Sequence, residues 1–404
     1  MILKQAPLGK PRLYYLDWLR VIAFSILLFE HSAEIFTDWN FWVKNEQTSS
    51  FLSYVIAFFL PWRMPLLFLI SGAAVTLSFK RKSIIEYFKE RSMRLLLPLA
   101  FAILVIIPPQ LYFIRLYRGG EESFWHFYQN ILSLNWTVST KGNIHFMHLW
   151  YLAYLFVYCL FFVPVLQFAR TEKGKQYIQA LCDFVSKPAI ILLLGPIITI
   201  PFYILIQYRP FDIYTAPFLY YLPFFVCGAL LFTDSGISLA INKSMPVAIT
   251  GAILSTIVLY MLSASSNDPQ NYFLSLSEIK SLPMLAFKSL NQWFWIIAIF
   301  GLAIRLVNDG SERLSYATQA IYPFYILHQT VIVIAGYYIV QMQGSVSYKL
   351  CLVTLVSFGI IYLIYELIIK KANWIKVLFG VKPQPIHEKK VTENRFKDLV
   401  FDKH

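Results

Sequence analysis

The chain has 404 residues, of which 58% are hydrophobic and 14% are charged, against about 25% charged residues in an ordinary soluble domain. This composition and a mean hydropathy of +0.57 exclude a soluble multidomain protein. The formal net charge of +13 does not indicate nucleic-acid binding, because most basic residues lie in connections between apolar segments. The sequence predicts an all-α, polytopic integral membrane protein.

Ten apolar segments are each long enough to cross about 30 Å of hydrocarbon as a helix. We therefore expect about ten transmembrane helices in a membrane domain over residues 1–370, followed by a basic, solvated cytoplasmic tail over residues 371–404. The segments cover residues 16–36, 51–79, 95–114, 146–169, 189–208, 217–233, 246–264, 287–306, 316–341 and 349–369.

The distribution of Lys and Arg between the connections predicts the orientation. If the N-terminus is cytoplasmic, 25 of these residues fall in inner connections and eight in outer connections. This threefold asymmetry predicts that both termini are cytoplasmic in a multi-pass protein of a cell membrane.

Ionisable residues are concentrated in the first apolar segment, at Asp17, Arg20, Glu30, His31 and Glu34. Each such residue costs about 2.5–3.5 kcal/mol at bilayer depth. Arg20 and His31 are three helical turns plus roughly 20° apart, so they share one helix face and are separated by about 16 Å along its axis. The alignment favours a functional stripe over a set of unrelated structural hydrogen bonds.

Arg63 lies near the middle of the second segment, between Pro61 and Pro65. Each proline removes one helical hydrogen bond, and irregular backbone at this depth needs protein or a wet cavity around it. Two interpretations stay open for Arg63. It either forms a buried ion pair with Glu30 or Glu34, or it contacts a substrate.

Arg91 and Arg94 are three residues apart before the third segment, so their guanidinium groups lie on one side of a helix. Such a fork suits phosphate groups. Taken alone this signal is weak, because anchoring at the cytoplasmic face accounts for an arginine at this position more readily than phosphate binding does.

The other histidines and the cysteines give weaker signals. His328 lies near mid-membrane, where either a hydrogen bond to a facing helix or a functional role accounts for it. His145 and His148 have a spacing that suits a metal, but no acidic residue is near them in sequence, so no metal site is predicted. The four cysteines show no CxxC spacing and are interpreted as small packing residues.

These features together resemble the membrane-bound acyltransferase-3 family, and especially its glucan-biosynthesis branch. The similarity covers roughly residues 13–335. Its most specific marks are an arginine and a histidine eleven positions apart in the first helix, and the RxxR sequence before the third. It is carried by YYLDWLRVIAFSILLFEHS, RMPLLFLISGAAV, RSMRLLLP, HLWYLAYLFVY, YYLPFFVCGALLF and IYPFYILHQ.

The resemblance implies an enzyme that moves an acyl group from cytoplasmic acyl-coenzyme A to a hydroxyl of a carbohydrate on the outer side. It implies that His31 is the catalytic histidine and Arg20 its motif partner, and that Arg91 and Arg94 form the RxxR motif. We therefore expect acyl-coenzyme A as co-substrate, no permanently bound cofactor, and transfer of an acetyl, succinyl or similar group.

A mechanism fits these residues. His31 would act as general base on the acceptor hydroxyl, and Glu34 would fix its tautomer. Arg63 or His328 would stabilise the oxyanion of the tetrahedral intermediate. A covalent acyl-histidine route is an alternative. The donor would be bound by Arg20, Arg91 and Arg94.

The rival hypothesis is a proton-coupled secondary transporter of a polar or anionic substrate. Buried charges and proline-interrupted helices are typical of such carriers. The two halves of the chain show no matching pair of broken segments, which favours the enzyme.

Overall fold

In the computed structural model the described residues are 13–79, 82–132, 146–208, 215–232, 234–264 and 282–383, and their regular structure is helical throughout. His145 and the tail after residue 383 lie outside these ranges. The helices are α1 Tyr14–Glu34, α2 Ser50–Phe79, α3 Ile84–Tyr117, α4 Phe124–Leu132, α5 Met147–Phe161, α6 Val163–Phe168, α7 Glu172–Val185, α8 Pro188–Tyr208, α9 Thr215–Leu230, α10 Ser235–Ala264, α11 Leu282–Leu306, α12 Glu312–Ile339, α13 Val346–Ile369 and α14 Asn373–Leu378.

All ten predicted segments are helical, but the number of helices able to cross a membrane is smaller than predicted. Six helices in the described part of the chain are long and apolar enough, namely α2, α3, α10, α11, α12 and α13. The pair α7 and α8, bent by 105° at its break, makes a seventh if it is one span. The all-α, polytopic membrane architecture is confirmed, whereas the count of ten is not.

The difference from six comes from α1, α5, α8 and α9, of which α8 counts only within the bent pair. Helix α1 has 21 residues, but every 18-residue stretch of it contains at least three charged side chains. Helices α5 and α9 are apolar but shorter, in the range of 10–17 residues. The helix that lacks the apolar character of a simple span is therefore the one that carries the predicted functional stripe.

The chain divides into two compact units, each built from separate stretches of sequence. Unit 1 comprises Met1–Phe41, Gln47–Tyr87 and Val157–Thr318, and unit 2 comprises Trp42–Glu46, Phe88–Phe156 and Gln319–His404. In unit 1, α2 packs against α1, α9 and α11, and α10 packs along α11. In unit 2, α4 and α14 pack against α3.

Small residues allow α2 and α9 to approach each other closely. A Cβ atom added at Gly72 would lie 2.0 Å from the carbonyl oxygen of Phe225, and one added at Gly228 would lie 1.9 Å from the carbonyl oxygen of Leu69. Small residues serve this purpose in membrane helices, where packing rather than hydrophobicity drives association. The contact fixes the helix that carries Arg63.

The two prolines of α2 do not break the helix, because a side chain replaces one of the lost hydrogen bonds. Pro65 has no N–H to offer the carbonyl oxygen of Pro61, and the side-chain amide of Gln292 on α11 donates to that oxygen instead. The Gln292 oxygen in turn accepts a hydrogen bond of 2.8 Å from the Tyr220 hydroxyl. Protein, rather than a wet cavity, thus satisfies the backbone beside Arg63.

Hydroxyl side chains cap several helices at their starts, α7 and α13 among them. Thr171 accepts from the backbone N–H of Gly174 before α7, and Ser345 accepts from that of Tyr348 before α13. Both residues have extended backbone, as N-cap residues do.

Candidate active site

The last turn of α1 holds His31 and Glu34 in direct contact. The distance from His31 Nδ1 to Glu34 Oε2 is 2.5 Å, and the two side chains are 17% and 14% exposed. The imidazole stacks on the Phe41 ring with 6.1 Å between centroids and 17° between planes. Because a carboxylate only accepts hydrogen bonds, Nδ1 carries the proton, and Nε2 of a neutral imidazole keeps a lone pair.

Glu30 and Arg63 form a buried ion pair between α1 and α2. The exposed fractions of their side chains are 1% and 6%. The guanidinium of Arg63 approaches the Glu30 carboxylate, so the structure favours the first of the two interpretations that the sequence left open. Glu30 is adjacent in sequence to His31, and the pair therefore ties the C-terminal end of α1 to α2.

Arg20 lies near the opposite end of α1. Its Nη1 is 3.6 Å from Asp17 Oδ1, and the Arg20 side chain is 29% exposed. The two residues, three positions apart, form an ion pair within one turn of α1. It leaves the Arg20 guanidinium accessible from one side.

Arg91 and Arg94 share one carboxylate at the start of α3. Arg91 Nη2 is 3.3 Å from Glu90 Oε2, and Arg94 Nη1 is 4.0 Å from Glu90 Oε1. The side chain of Arg91 is 10% exposed and that of Arg94 is 41% exposed. The residues from Ser92 to Leu96 form a π-helical turn, a deviation that is frequent at functional sites.

A proline next to this turn also removes a backbone hydrogen bond. Pro98 has no N–H for the carbonyl oxygen of Arg94, and the Tyr322 hydroxyl of α12 donates to that oxygen at 2.7 Å. The Arg94 backbone is thus fixed by a side chain from a helix distant in sequence.

His328 is buried in unit 2 beside His148, which the sequence analysis considered only as a metal ligand. The His328 and His148 rings are edge to face with 4.9 Å between centroids. His328 Nδ1 lies 2.5 Å from the carbonyl oxygen of Tyr325, and His148 Nε2 lies 3.0 Å from that of Ile326. Carbonyl oxygens only accept, so these two nitrogens carry the protons.

The predicted residues fall into both units. Unit 1 contains Arg20, His31, Glu34 and Arg63, and unit 2 contains Arg91, Arg94 and His328. Sequence reasoning did not choose Glu30 over Glu34 as the partner of Arg63. It considered His148 only as a metal ligand, and it missed Glu90. Glu30 and His148 acquire their partners from elsewhere in the fold. Glu90 does carry a local signal, because Arg94 follows it at the i, i+4 spacing of a helical ion pair. Within the described ranges no group of three His, Cys, Asp or Glu side chains could hold a metal.

Comparison with known proteins decides the family. A family model described as an acyltransferase domain, the acyltransferase-3 model, matches residues 13–366. The chain belongs to the acyltransferase-3 family.

Curated relatives match over nearly the whole chain. The glucans biosynthesis protein C of Salmonella typhimurium is 23% identical over 394 residues, which cover 95% of this chain and 98% of the relative. The protein of the same name from Salmonella paratyphi B is 23% identical over 385 residues, which cover 92% of this chain and 96% of the relative. No solved structure matches the chain. The family and the apolar helices establish a multi-pass membrane acyltransferase of bacterial type.

The Glu30–Arg63 pair leads to a prediction on stability. Removing one partner leaves a buried charge alone, so Glu30→Ala and Arg63→Ala should each lower the free energy of unfolding by about 3–5 kcal/mol. The double variant Glu30→Leu/Arg63→Leu should lose much less free energy of unfolding than the two single variants lose in sum, because it leaves no unpaired charge. Thermal unfolding of the purified variants in detergent measures all three.

The exposed pair of Lys175 and Glu172, with side chains 58% and 82% exposed, provides the control. Lys175→Ala should change stability by about 0–1 kcal/mol. If Glu30→Ala lowered the stability no more than Lys175→Ala, the Glu30–Arg63 pair would not hold α1 to α2.

Proposed function

We propose that the protein is an O-acyltransferase that moves an acyl group from cytoplasmic acyl-coenzyme A to a hydroxyl of an extracytoplasmic carbohydrate, with His31 as general base. The observation that carries the proposal is the 2.5 Å contact between His31 Nδ1 and Glu34 Oε2. It leaves Nε2 as the proton acceptor, which is the tautomer that a general base needs.

In the proposed reaction Nε2 of His31 takes the proton of the acceptor hydroxyl as its oxygen attacks the thioester carbonyl. The Glu34 carboxylate stabilises the imidazolium that forms. A C–O bond then replaces the C–S bond, and the thiolate of coenzyme A leaves and recovers a proton. Direct transfer accounts for the residues present, although an acyl-histidine intermediate would use the same imidazole.

Arg63 and His328 are the proposed oxyanion donors, and their hydrogen bonds favour Arg63. A guanidinium has five N–H donors, so Arg63 can pair with Glu30 and still donate elsewhere. His328 directs its Nδ1 proton to the Tyr325 carbonyl, which leaves an acceptor at Nε2 of the neutral ring. His328 would have to be protonated to donate from Nε2.

Arg20, Arg91 and Arg94 are the proposed donor-binding residues. Their guanidinium groups are suited to phosphate oxygens, which they bind as planar forks. Arg20 and Arg94 are partly exposed, at 29% and 41% of their side chains. Each is thus accessible to a ligand.

The acceptor is proposed to be a glucan or a related carbohydrate, because the curated relatives are named for glucan biosynthesis. The acyl group is proposed to be acetyl, succinyl or similar. The transporter hypothesis accounts for the buried charges but not for membership of an acyltransferase family, so the enzyme is favoured.

For transfer across the membrane we propose that both termini are cytoplasmic and that α1, α5 and α9 also lie within the membrane. Single cysteines at positions 82 and 120 test the orientation. In intact cells, a cysteine at position 82 should react only with a membrane-permeant thiol reagent. A cysteine at position 120 should react with an impermeant thiol reagent as well. The opposite pattern would reverse the orientation and contradict a cytoplasmic donor.

Replacing His31 should affect catalysis rather than donor binding. His31→Ala removes a group that acts only as the proton moves, so kcat should fall by about a hundredfold or more while the donor KM stays near wild type. Glu34→Gln keeps a hydrogen-bonding group but removes the charge, and it should give a smaller loss of kcat. Steady-state kinetics of acyl transfer in detergent measure both.

His126→Ala is the matched control, because His126 is an exposed histidine on α4. It should leave kcat unchanged. Near-normal turnover by a folded His31→Ala protein would mean that the α1 stripe is structural.

Replacing Arg91 or Arg94 should act on the donor. Loss of a charge-assisted contact worth about 1.5–3 kcal/mol should lower kcat/KM roughly ten- to a hundredfold, mainly through a higher donor KM. Arg313→Ala, an exposed arginine at the start of α12, serves as control. A fall in kcat alone, with the donor KM unchanged, would argue against phosphate binding.

A further inference from the structure

The segment after the last long helix folds back onto the RxxR motif. We call residues 373–382 the C-terminal strap; it consists of α14 and the four residues that follow. Helix α14 packs against the Leu97–Phe101 portion of α3, and the Phe379 ring meets the Phe101 ring edge to face at 5.4 Å. The sequence predicted this stretch as part of a solvated tail, so its contacts with α3 are an unexpected feature.

Gly380 brings the strap into contact with the backbone of the motif. Its φ of +67° lies in the left-handed region that glycine adopts without strain. A Cβ atom added there would lie 2.3 Å from Cε1 of Tyr322 and 2.9 Å from the carbonyl oxygen of Arg94. This is the carbonyl that Tyr322 caps, so the strap, α12 and the π-helical turn meet at one point.

The strap adds a third cation to the motif. Lys382 Nζ is 3.5 Å from Glu90 Oε1, the same oxygen that Arg94 approaches, and Arg91 approaches the other oxygen of that carboxylate. Three positive side chains therefore surround one negative one. The cluster of Glu90, Arg91, Arg94 and Lys382 has an excess of positive charge and suits a ligand with several negative charges.

Exposure separates the roles of these cations. The side chain of Lys382 is 68% exposed and that of Arg94 is 41% exposed, whereas that of Arg91 is 10% exposed. A ligand arriving from solvent meets Lys382 and Arg94 first. Arg91 is placed to hold Glu90 and to support the cluster from the protein side.

We propose that Lys382 is a donor-binding residue, and that the C-terminal strap completes with Arg94 and Arg91 a site for the phosphates of the acyl donor. This inference rests on the proposed function, because it takes the nucleotide end of coenzyme A, with its diphosphate and ribose phosphate, as the ligand. In the absence of donor Glu90 holds the cations together. When the donor binds, its phosphate oxygens become the partners of Lys382 and Arg94.

The test is binding of coenzyme A, of dephospho-coenzyme A and of pantetheine to the purified full chain in detergent, measured by calorimetry. Lys382→Ala should weaken binding of coenzyme A roughly fivefold, since an exposed charge contact contributes about 1 kcal/mol. Lys382→Glu should weaken it further, and Lys382→Arg should retain most of it. Binding of pantetheine, which has no phosphate, should not respond to any of these changes.

Lys370→Ala is the matched control. Lys370 is also a lysine paired with a glutamate, with 3.0 Å from its Nζ to Glu366 Oε2 and a side chain 48% exposed, but it is not in the cluster. It should bind coenzyme A like the wild type. Gly380→Ala gives a second route to the same result: it should displace the strap and weaken coenzyme A binding with Lys382 intact.

The outcomes separate the two proposals. If the wild type binds coenzyme A and the Lys382→Ala and Lys382→Glu variants bind it equally well, the role of the strap is wrong and the proposed function stands. If the wild type binds no coenzyme A, both proposals fail. A loss that is the same for coenzyme A and pantetheine would also contradict the inference, because it would not involve phosphate.

Discussion

Within a membrane each buried polar group has to find its partner in the protein, because lipid offers none. Helix α2 shows the consequence most directly: Gln292 donates to the Pro61 carbonyl that Pro65 leaves without a partner. The Tyr322 hydroxyl does the same for the Arg94 carbonyl, and Glu30 neutralises Arg63. The first two contacts connect helices that are distant in sequence, and the third connects the consecutive helices α1 and α2. All three fix the positions of charged residues or of the backbone beside them.

The His31–Glu34 pair differs from these structural contacts. Both side chains are partly exposed, whereas Glu30 and Arg63, in the same part of unit 1, are almost completely buried. The buried pair satisfies charges and holds α1 against α2. The partly exposed pair keeps an imidazole in one tautomer with a nitrogen that can accept a proton. One helix thus combines a structural ion pair with an adjacent pair suited to chemistry.

Sequence patterns predicted the helices well because apolar length is a local property. They also identified the α1 stripe, since a helix places residues eleven positions apart on one face. They could not choose the partner of Arg63, because Glu30 and Glu34 are one turn apart and tertiary packing decides between them. The contact of His148 with His328 and the return of the strap to Glu90 depend on pairings across hundreds of residues, and no local pattern contains them. The predicted number of spans is too high for a different reason: α5 and α9 are apolar but short, and α1 is long enough but carries several charged side chains.

Acyl transfer by the purified protein in detergent distinguishes an acyltransferase from a carrier most directly, because transport across a membrane cannot occur there. The protein is incubated with acyl-coenzyme A and an oligosaccharide acceptor, and the acylated product is detected by mass spectrometry. We expect acylated oligosaccharide and free coenzyme A to form together, and the formation of both to depend on His31. Substrate flux in sealed vesicles without any thioester, combined with no acyl transfer in detergent, would contradict it and indicate a carrier.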